Sequence, residues 1–384
     1  MKKYSTVLGT LNSVISRYDF KKIVDLHDGD KGIRTLSTDL LLKTMTYAQV
    51  SQAFSLNEVI ATMHSQHAKL YHAGMAPVKK STVADALAKR SSDIFKDLFY
   101  QLLGQAGTMH TPNHRFRNPL QIIDATTIDL CLSRYDWAQF RTTKGAIKLH
   151  ASYNSDSALP NYVQLSTGKL HETNTLLDFP RKKGDIMVFD RGYNNYKSFH
   201  KLQLDDVTFV TRLKKNAKVR TTLVYHKNPD GPVLEDAWMK FTQDSAEANY
   251  PDLIRVVTYK DPEHGKVYRF LTNNFDLPAH EIADIYKERW QVELFFKWIK
   301  QNLKIKTFFG TSKNAVWSQI WIALIVYVLI WMMKVLHGIE STFQKIMQVL
   351  KLTILDRRDI SELFHPPPPS PISSNLWLFE GAGN

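Results

Sequence analysis

Four residues of one predicted helix have the types and spacing needed to act on a phosphate. The segment Ile285–Ile305 reads IYKERWQVELFFKWIKQNLKI. At 100° per residue, one arc of roughly 60° contains four residues with a phenol, a cation or a carboxylate: Tyr286, Arg289, Glu293 and Lys300. Large apolar residues flank this arc on both sides, and a second polar stripe lies opposite. Because only one stripe can be the usual solvated face, we expect the first to line a cleft.

The charges on this arc have two explanations that the spacing supports equally. An ion taken out of water costs several kcal/mol unless it finds a partner, so a charged cleft needs a reason. One reason is a functional site that uses the charges. The other is an internal salt bridge, since Arg289 and Glu293 stand four positions apart on the helix.

Two aspartates elsewhere in the chain follow short apolar runs that are typical of buried strands. Asp124 lies in IIDATTIDL and Asp190 in DIMVFDRGY, each directly after two large apolar residues. Strand exits of this kind are where active sites gather in α/β sheets. Each segment holds another aspartate five positions away, Asp129 and Asp185, and that odd spacing places it on the opposite face of a strand.

Asp124, Asp190 and Glu293 together could hold a metal ion. Convergent carboxylates without cysteine or clustered histidine favour a hard cation with oxygen ligands, such as Mg²⁺ or Mn²⁺. Two such ions about 4 Å apart can hold a phosphate between its attacking and leaving oxygens. A single aspartate at a strand end is more often a turn or cap residue, so the prediction depends on the combination.

The spacing Tyr286, Arg289, Glu293, Lys300 resembles the YREK signature of bacterial DDE transposases in the "insertion sequence four" group. IDATT around Asp124 and FDRGY around Asp190 resemble the first and second aspartate motifs of that family. The β-rich stretch between Asp190 and Glu293 is also similar to the layout of the family. The resemblance covers roughly residues 115–340.

The resemblance implies an α/β fold whose catalytic core is ribonuclease H-like (RNase H-like) and carries a β-rich insertion. It implies that Asp124, Asp190 and Glu293 are the catalytic residues and bind two Mg²⁺ or Mn²⁺ ions. Three further residues are expected to contact DNA phosphates near the cleaved end: Tyr286, Arg289 and Lys300. The implied activity is metal-dependent cleavage at transposon ends followed by strand transfer into target DNA.

The implied partners are double-stranded DNA, namely the terminal inverted repeats and the target, and a second copy of the chain in a synaptic homodimer. In members of the family that form a DNA hairpin, an aromatic residue of the insertion receives a flipped base. Trp238, Tyr268 and Phe270 are candidates here, although each fits a packing role better. The rival within this reading is a DNA-binding protein or nuclease that derives from a transposase and no longer transposes.

Composition agrees with an anionic partner inside the cell. The 384 residues include 50 Lys and Arg against 37 Asp and Glu, a formal charge of +13, and nucleic acid is the commonest partner of such a balance. Cys131 is the only cysteine, which excludes a disulfide framework and cysteine-based zinc sites and fits a reducing cytoplasm. The family resemblance implies that this is a bacterial cytoplasm, with the protein associated with the nucleoid. The apolar run Ile320–Met333 is shorter than the ~20 residues of a membrane span, so we predict a buried core helix and no membrane.

The pattern of the chain predicts several regions. Within the first of them, Ser81–Arg90 could be a DNA recognition helix or a plain helix of a small bundle. The basic run TRLKKNAKVR could follow a DNA backbone or be a solvated loop. The predicted regions are a helical N-terminal DNA-binding region (1–105), a linker (106–118), a catalytic core in two parts (119–200 and 275–350), a β-rich insertion (201–274) and a C-terminal tail (351–384).

Overall fold

The computed structural model describes residues 5–109, 116, 118–170 and 172–365. Its helices are α1 Val7–Ser13, α2 Arg17–Leu26, α3 Thr38–Ser51, α4 Leu56–Ser65, α5 His67–Leu70, α6 Lys80–Lys89, α7 Asp93–Met109, α8 Tyr196–Leu204, α9 Asp244–Asn249, α10 Ala279–Glu288, α11 Trp290–Asn302, α12 Lys313–Leu336, α13 Phe343–Thr353 and α14 Ile360–Phe364. Its strands are β1 Leu120–Leu130, β2 Gln139–Arg141, β3 Lys144–Asn154, β4 Leu159–Thr167, β5 Ile186–Phe189, β6 Thr208–Arg212, β7 Val219–Lys227, β8 Val233–Phe241, β9 Ile254–Lys260 and β10 Val267–Thr272.

The described strands form one mixed sheet. Its order is β2-β3-β1-β5-β6-β10-β9-β8-β7, and β4 pairs with the free side of β3. The pairs β1–β5 and β5–β6 are parallel, and the others are antiparallel. Helix α8 makes the crossover between the parallel strands β5 and β6, as parallel neighbours require. The β-rich stretch therefore extends the sheet of the core through β6 and β10, and the predicted β9–β10 hairpin is confirmed.

Helix α12 is the centre of the helical layer. It is long and apolar enough to cross a membrane, yet 83% of its most apolar window is buried inside the protein. A helix that is apolar on all sides is typical of a protein core. Helices α3, α6 and α7 pack on it from the N-terminal region, and α11 and α13 from the C-terminal part. The prediction of a buried core helix for Ile320–Met333 is confirmed.

A buried pair of glutamines joins the N-terminal helices to the end of α11. Gln319 on α12 donates to the carbonyls of Lys304 (2.7 Å) and Thr307 (2.8 Å) and accepts from the Phe309 amide (3.0 Å). Gln49 on α3 accepts from the Lys304 amide at 2.6 Å and donates to the Gln319 carbonyl at 3.4 Å. These bonds satisfy backbone groups that the segment after α11 would otherwise bury unpaired.

Parts of the predicted linker and of the predicted C-terminal tail are helical. Helix α7 extends to Met109, into the segment predicted as a linker, and residues 110–115 and 117 lie outside the described part. The predicted tail begins with the end of α13 and with α14, because the apolar residues there pack into the core. Near this segment, the first turn of α1 donates to two carbonyls, Val7 to Asp356 at 3.0 Å and Leu8 to Ile354 at 2.8 Å. The proline run and the rest of 366–384 lie outside the described residues.

Helix α6 corresponds to the segment considered as a recognition helix. Lys89 at its end is exposed, whereas Arg90 is buried and donates to the Leu36 carbonyl. Arg90 is therefore held inside the fold and cannot serve as a DNA contact in this conformation. The apolar face of α6 packs on α12.

Substitutions of two neighbouring polar residues of α12 should have opposite effects on the free energy of unfolding. Gln319→Leu leaves the Lys304 and Thr307 carbonyls and the Phe309 amide without their buried partner. We expect it to lower the free energy of unfolding by about 3 kcal/mol or more, at about 1–3 kcal/mol for each unsatisfied group. Ser318→Ala is the matched control. Its hydroxyl is buried and has no partner among the described residues, so this variant should match or exceed the wild type. Chemical denaturation measures both.

Candidate active site

The parallel pairing of β1 with β5 places Asp124 beside Asp190. Ile123 pairs with Phe189, and each aspartate is the next residue along its strand. Neighbouring strands lie about 4.7–4.9 Å apart, so both carboxylates stand at one edge of the sheet. One expectation needs correction. β1 does not end at Asp124 but continues to Leu130, because its far half pairs with β3 alone after β5 has stopped.

Arg212 is a site residue that the sequence did not identify. It ends β6, the third parallel strand, two residues beyond the pair Val188–Val210. Its guanidinium Nη2 lies 3.0 Å from Asp190 Oδ1. The basic run TRLKKNAKVR therefore begins inside the sheet rather than in a loop. The signal in the sequence was an arginine at the end of a third buried strand. Recognising it as a site residue required knowing that β6 pairs with β5.

The segment Ile285–Ile305 comprises the last turn of α10, the single residue Arg289, α11 and three residues after α11 that are not helical. The backbone of Arg289 stays helical, but its amide donates to the Tyr286 carbonyl three residues back at 3.1 Å, which tightens the turn. The predicted arc survives this break. Tyr286 Oη donates to Asp190 Oδ1 at 3.4 Å, so the last turn of α10 faces the sheet edge.

Arg289 connects two of the three carboxylates. Its Nη2 lies 2.6 Å from Glu293 Oε1 and its Nη1 lies 3.9 Å from Asp124 Oδ2. The internal salt bridge that the spacing allowed is therefore present, and it lies inside the carboxylate cluster rather than apart from it. The structure thus brings Glu293 to the edge occupied by Asp124 and Asp190.

Lys300 lies further along α11 and contacts β1 rather than a carboxylate. Its Nζ donates to the Thr127 carbonyl at 2.9 Å. Burial lowers the pKa of Lys300, and the nearby Lys306 lowers it further, against the opposite effect of Asp129 and Asp124. This cation stands three residues along β1 from Asp124, at the periphery of the site.

The two flanks of the predicted arc differ from each other, contrary to expectation. On one flank, Val292, Phe296 and Ile299 are buried. On the other flank, Trp290 is 57% exposed and Leu294 is 42% exposed, whereas Trp298 packs on Tyr327 of α12 and Phe343 of α13. The carboxylate cluster is therefore walled on one side and open towards solvent on the other, where a large substrate could approach.

The surroundings shift the pKa values of the two aspartates in opposite directions. Burial raises the pKa of Asp124 to about 6, against the Ala125 amide and Arg289, and the charges of Glu293 and Glu172 raise it further. Burial would also raise the pKa of Asp190, but a hydrogen bond from Arg212 and the Arg191 amide outweigh it, so this pKa is lowered. Glu172, which the sequence did not identify, is thus a fourth carboxylate near the cluster.

The other two aspartates considered from sequence are not part of the cluster. Asp185 is buried and accepts from Gln121 Nε2 at 2.6 Å and from the Lys182 amide at 2.7 Å, which makes it a structural residue at the start of β5. Asp129 is exposed further along β1.

The donor set fits a hard divalent cation. Asp124, Asp190 and Glu293 offer only carboxylate oxygens, the ligands that Mg²⁺ and Mn²⁺ prefer. In the described part of the chain, no group of three or more His, Cys, Asp or Glu residues is arranged to hold a metal ion. Arg289 and Arg212 instead hold Glu293 and Asp190 in ion pairs.

A cavity of about 330 Å³ opens beside Arg212 and Arg289. Tyr268 and Phe270 line it, stacked on each other with centroids 5.9 Å apart, and exposed Trp290 lines its other side. Trp238, the third aromatic candidate, packs on Phe275 instead and does not line this cavity. The remaining lining residues are Tyr259, Asp261, Glu263, His264, Ala283, Asp284, Tyr286 and Lys287.

The raised pKa of Asp124 predicts how stability depends on pH. Its folded-state pKa of about 6 exceeds the ordinary 3.8, so the group stabilises the fold below about pH 4 and this contribution is lost as pH rises through 6. Asp124→Asn removes that loss. We expect the variant to gain on the wild type between pH 4 and 7, by at most about 3 kcal/mol.

Denaturation at several pH values measures the difference. Asp129→Asn, at an exposed position on the same strand, controls for the loss of one surface charge. A difference between Asp124→Asn and the wild type that stays constant from pH 4 to 7 would contradict the prediction.

The sequence of this chain is similar to those of several known proteins. Residues 115–329 match the family model described as "Transposase DDE domain", and residues 3–76 match a model described as a domain of unknown function. A "Probable transposase for insertion sequence element IS5377" of Geobacillus stearothermophilus is 29% identical over 304 residues, which are 76% of this chain and 80% of the relative. A Sinorhizobium fredii protein, y4zB, also named as a transposase, is 31% identical over 293 residues, 75% of this chain and 81% of the relative.

The piggyBac transposase synaptic complex with hairpin DNA, determined by cryo-electron microscopy, overlays with a TM-score of 0.47 at 11% identity, covering 91% of this chain and 80% of that one. This score is too low to establish a shared fold.

Proposed function

The chain belongs to the transposase DDE domain family and is a DNA transposase, and we propose that Asp124, Asp190 and Glu293 carry its chemistry. The observation that carries this proposal is their convergence from β1, β5 and α11 at one sheet edge, together with Arg212 and Arg289. Their motifs also resemble those of the "insertion sequence four" group.

The catalytic core is RNase H-like in this proposal. The order β4-β3-β1-β5-β6, with antiparallel pairing in the first part and parallel pairing in the last, supports it. Strands β7 to β10 then form the β-rich insertion between Asp190 and Glu293. The insertion predicted from the sequence, 201–274, also included β6, which this proposal assigns to the core because it pairs in parallel with β5. For the rest of the chain we propose the regions that the sequence predicted, in which residues 1–105 bind the transposon ends.

Asp124, Asp190 and Glu293 would hold the divalent cations, two Mg²⁺ or Mn²⁺ ions. When bound, such ions supply positive charge that activates a nucleophilic oxygen and stabilises the leaving oxygen of a phosphodiester. Among these side chains, Asp124 has a pKa raised to about 6, so it is ionised mainly above that pH in the protein alone. Before it binds a metal ion, each carboxylate must release the arginine that it contacts in the protein alone.

The arginines have a second partner available in DNA. A guanidinium forks onto a phosphate as well as onto a carboxylate. In the protein alone Arg289 neutralises Glu293 and Arg212 neutralises Asp190. We propose that phosphates of the cleaved end take over Arg289 and Arg212, with Tyr286 and Lys300 adding a hydrogen bond and a point charge. The exchange frees the carboxylates as the substrate arrives.

The proposed reaction is hydrolysis of the phosphodiester at the transposon end, followed by attack of the freed 3′-OH in strand transfer. The substrates are the terminal inverted repeats and the target DNA, and the working form is a homodimer in a synaptic complex. We place the protein in the bacterial cytoplasm, at the nucleoid. A derived nuclease or DNA-binding protein without transposition is the alternative, and the complete set of three carboxylates argues against an idle core.

Substitutions on α11 separate chemistry from binding. Glu293→Gln keeps the size of the side chain and removes its charge, so cleavage of end DNA under Mg²⁺ should fall at least about 100-fold, the equivalent of about 2.7 kcal/mol. DNA binding without metal should stay near wild type. Lys300→Ala should weaken cleavage without abolishing it, by the ~1.5–3 kcal/mol of a charge-assisted hydrogen bond. Arg289→Lys should also be harmful, because lysine cannot reproduce the fork.

Glu247→Gln, at an exposed position on α9, is the matched control and should cleave normally. Because Arg289 and Glu293 form a salt bridge, melting temperature and cleavage are measured on the same preparations. If Glu293 served stability alone, cleavage would fall only as far as folding does. A well-folded Glu293→Gln protein that cuts end DNA at the normal rate would sink the proposal.

The cavity beside Arg212 fits an unstacked base. Aromatic residues offer stacking surfaces, worth about 1–3 kcal/mol per base, and the exposed ring of Trp290 stands at the cavity wall next to Arg289. We propose that a base near the cleaved end enters here, between Trp290 and Tyr268. Phe270 is buried and supports Tyr286 at a centroid distance of 4.9 Å, which makes it a packing residue.

A fluorescent base tests the cavity. With 2-aminopurine at the terminal positions of the end DNA, Trp290→Ala should reduce the fluorescence change on binding and weaken binding by about 5- to 100-fold. Tyr225→Ala, an exposed aromatic on β7 away from the cavity, is the control. An unchanged signal in Trp290→Ala at every terminal position would contradict this use of the cavity.

A further inference from the structure

A phenylalanine ring stands exposed on the surface beside the end of α11. Phe54, in the turn between α3 and α4, is 83% exposed. The Nζ of Lys304, two residues beyond the end of α11, lies 4.6 Å from the centre of this ring. A cation over an aromatic face is attracted to it at this distance, so the ring and the cation form one surface feature. A single exposed ring is common in proteins, and its surroundings decide whether it has a partner.

The turn that carries Phe54 is bound to three helices. Gln52 Nε2 donates at 3.2 Å to the carbonyl of Asn302, the last residue of α11, and Lys351 Nζ on α13 donates to Gln52 Oε1 at 3.1 Å. The Phe54 amide donates to Glu58 Oε2 on α4 at 2.7 Å. These bonds fix the backbone of the turn next to α11. A contact presented on a fixed backbone loses less conformational entropy when a partner binds.

The charge around this turn is mainly positive. Between Glu293 and Glu340 the sequence has six lysines and no acidic residue, and Lys304 is one of these lysines. Lys351, which contacts the turn from α13, is exposed, and Glu58 is the carboxylate that contacts it. Nucleic acids bind surfaces that combine positive charge with an exposed aromatic ring, whereas lysine is depleted in protein–protein interfaces. The surface therefore fits DNA better than a second copy of the chain.

The length of α11 gives the distance from the turn to the carboxylate cluster. Asn302 is nine residues after Glu293, which corresponds to about 14 Å along a helix. A DNA duplex rises about 3.4 Å for each base pair. A duplex that lies along α11 from the carboxylate cluster therefore reaches the Phe54 ring about four base pairs from the cleaved bond.

We propose that Phe54 inserts its ring between base pairs of the end DNA about four positions from the cleaved bond, with Lys304 and Lys351 on the flanking phosphates. Apolar side chains that insert in this way partially unstack a base step and bend the duplex. The inference rests on the proposed function, because it assumes that DNA reaches the carboxylate cluster along α11. It gives the N-terminal region a contact with DNA close to the active site, since α3 and α4 hold the turn.

The test uses end DNA that carries 2-aminopurine, whose fluorescence rises when its base is unstacked, at each of about eight base pairs next to the cleaved bond in turn. The full-length wild type should raise the signal about four positions inside the end. Phe54→Ala should abolish this inner rise and weaken binding of end DNA about 5- to 100-fold. Phe54→Trp keeps a flat ring and should retain most of both. An inner rise that Phe54→Ala leaves unchanged would overturn the proposal.

Leu204→Ala is the matched control for loss of an exposed apolar side chain. Leu204 is 65% exposed at the end of α8, outside the N-terminal region, so this variant should bind and unstack end DNA like the wild type. The melting temperature of Phe54→Ala should equal that of the wild type, because most of the ring is already in contact with water. Weaker DNA binding by this variant would then not reflect unfolding.

The salt dependence of binding tests the two lysines. Lys304→Ala and Lys351→Ala should each weaken binding and reduce the slope of log affinity against log salt concentration by about one, as the loss of one phosphate contact does. Lys345→Ala, which removes an exposed lysine elsewhere on α13, is the control and should leave the slope unchanged. Slopes equal to that of the wild type in both Lys304→Ala and Lys351→Ala would refute the phosphate contacts.

Cleavage by Glu293→Gln separates the failure of this inference from the failure of the proposed function. If Glu293→Gln loses cleavage while Phe54→Ala binds and unstacks end DNA normally, only the role of Phe54 is overturned. If Glu293→Gln cleaves normally, the proposed active site is wrong. If Phe54→Ala changes the oligomeric state of the protein without DNA and leaves DNA binding intact, the surface belongs to a second copy of the chain and the inference is overturned.

Discussion

Mutual repulsion between carboxylates is the constraint on which this structure depends. The sheet edge collects Asp124 and Asp190, and α11 adds Glu293. Charges of one sign cannot be held together in a partly buried site without compensation. Arg212 and Arg289 supply it in the protein alone. The same guanidinium groups suit the phosphates of DNA, so in the proposed function one pair of side chains serves both the resting protein and substrate binding.

The position of α11 depends in turn on elements far from the site. α11 lies between the edge of β1 and the buried helix α12. The glutamine pair Gln49 and Gln319 fixes the segment that follows α11, so the N-terminal helices share in holding the catalytic helix. The N-terminal region is therefore a structural part of the same core, since α3, α6 and α7 cover faces of α12 that would otherwise be exposed.

Local patterns predicted the parts of the site that depend on local geometry. The helical spacing from Tyr286 to Lys300 survived because a single tightened turn at Arg289 barely rotates the helix, and the apolar runs before Asp124 and Asp190 predicted buried strands. Arg212 and Glu172 were missed because strand pairing and loop packing, not spacing, bring them to the site. Neither β7 nor β8 was predicted individually, and β7 is an edge strand exposed along most of its length, so it has no alternation of burial to detect. The exposure of Trp290 likewise could not be predicted, because it depends on which elements pack against that part of α11.

The bonds between the two ends of the chain have a consequence for synthesis on the ribosome. During synthesis, the bond from Gln49 to Gln319 cannot form until 270 more residues have been made, and the bond from Lys69 to Asp356 needs 287 more. At ordinary rates of translation that delay is on the order of tens of seconds. During it the apolar faces of α3, α6 and α7 have no α12 to cover them, and contacts this distant in sequence form slowly. A message that stops before α12 would release a chain whose apolar helix faces stay exposed to solvent, and such surfaces favour aggregation.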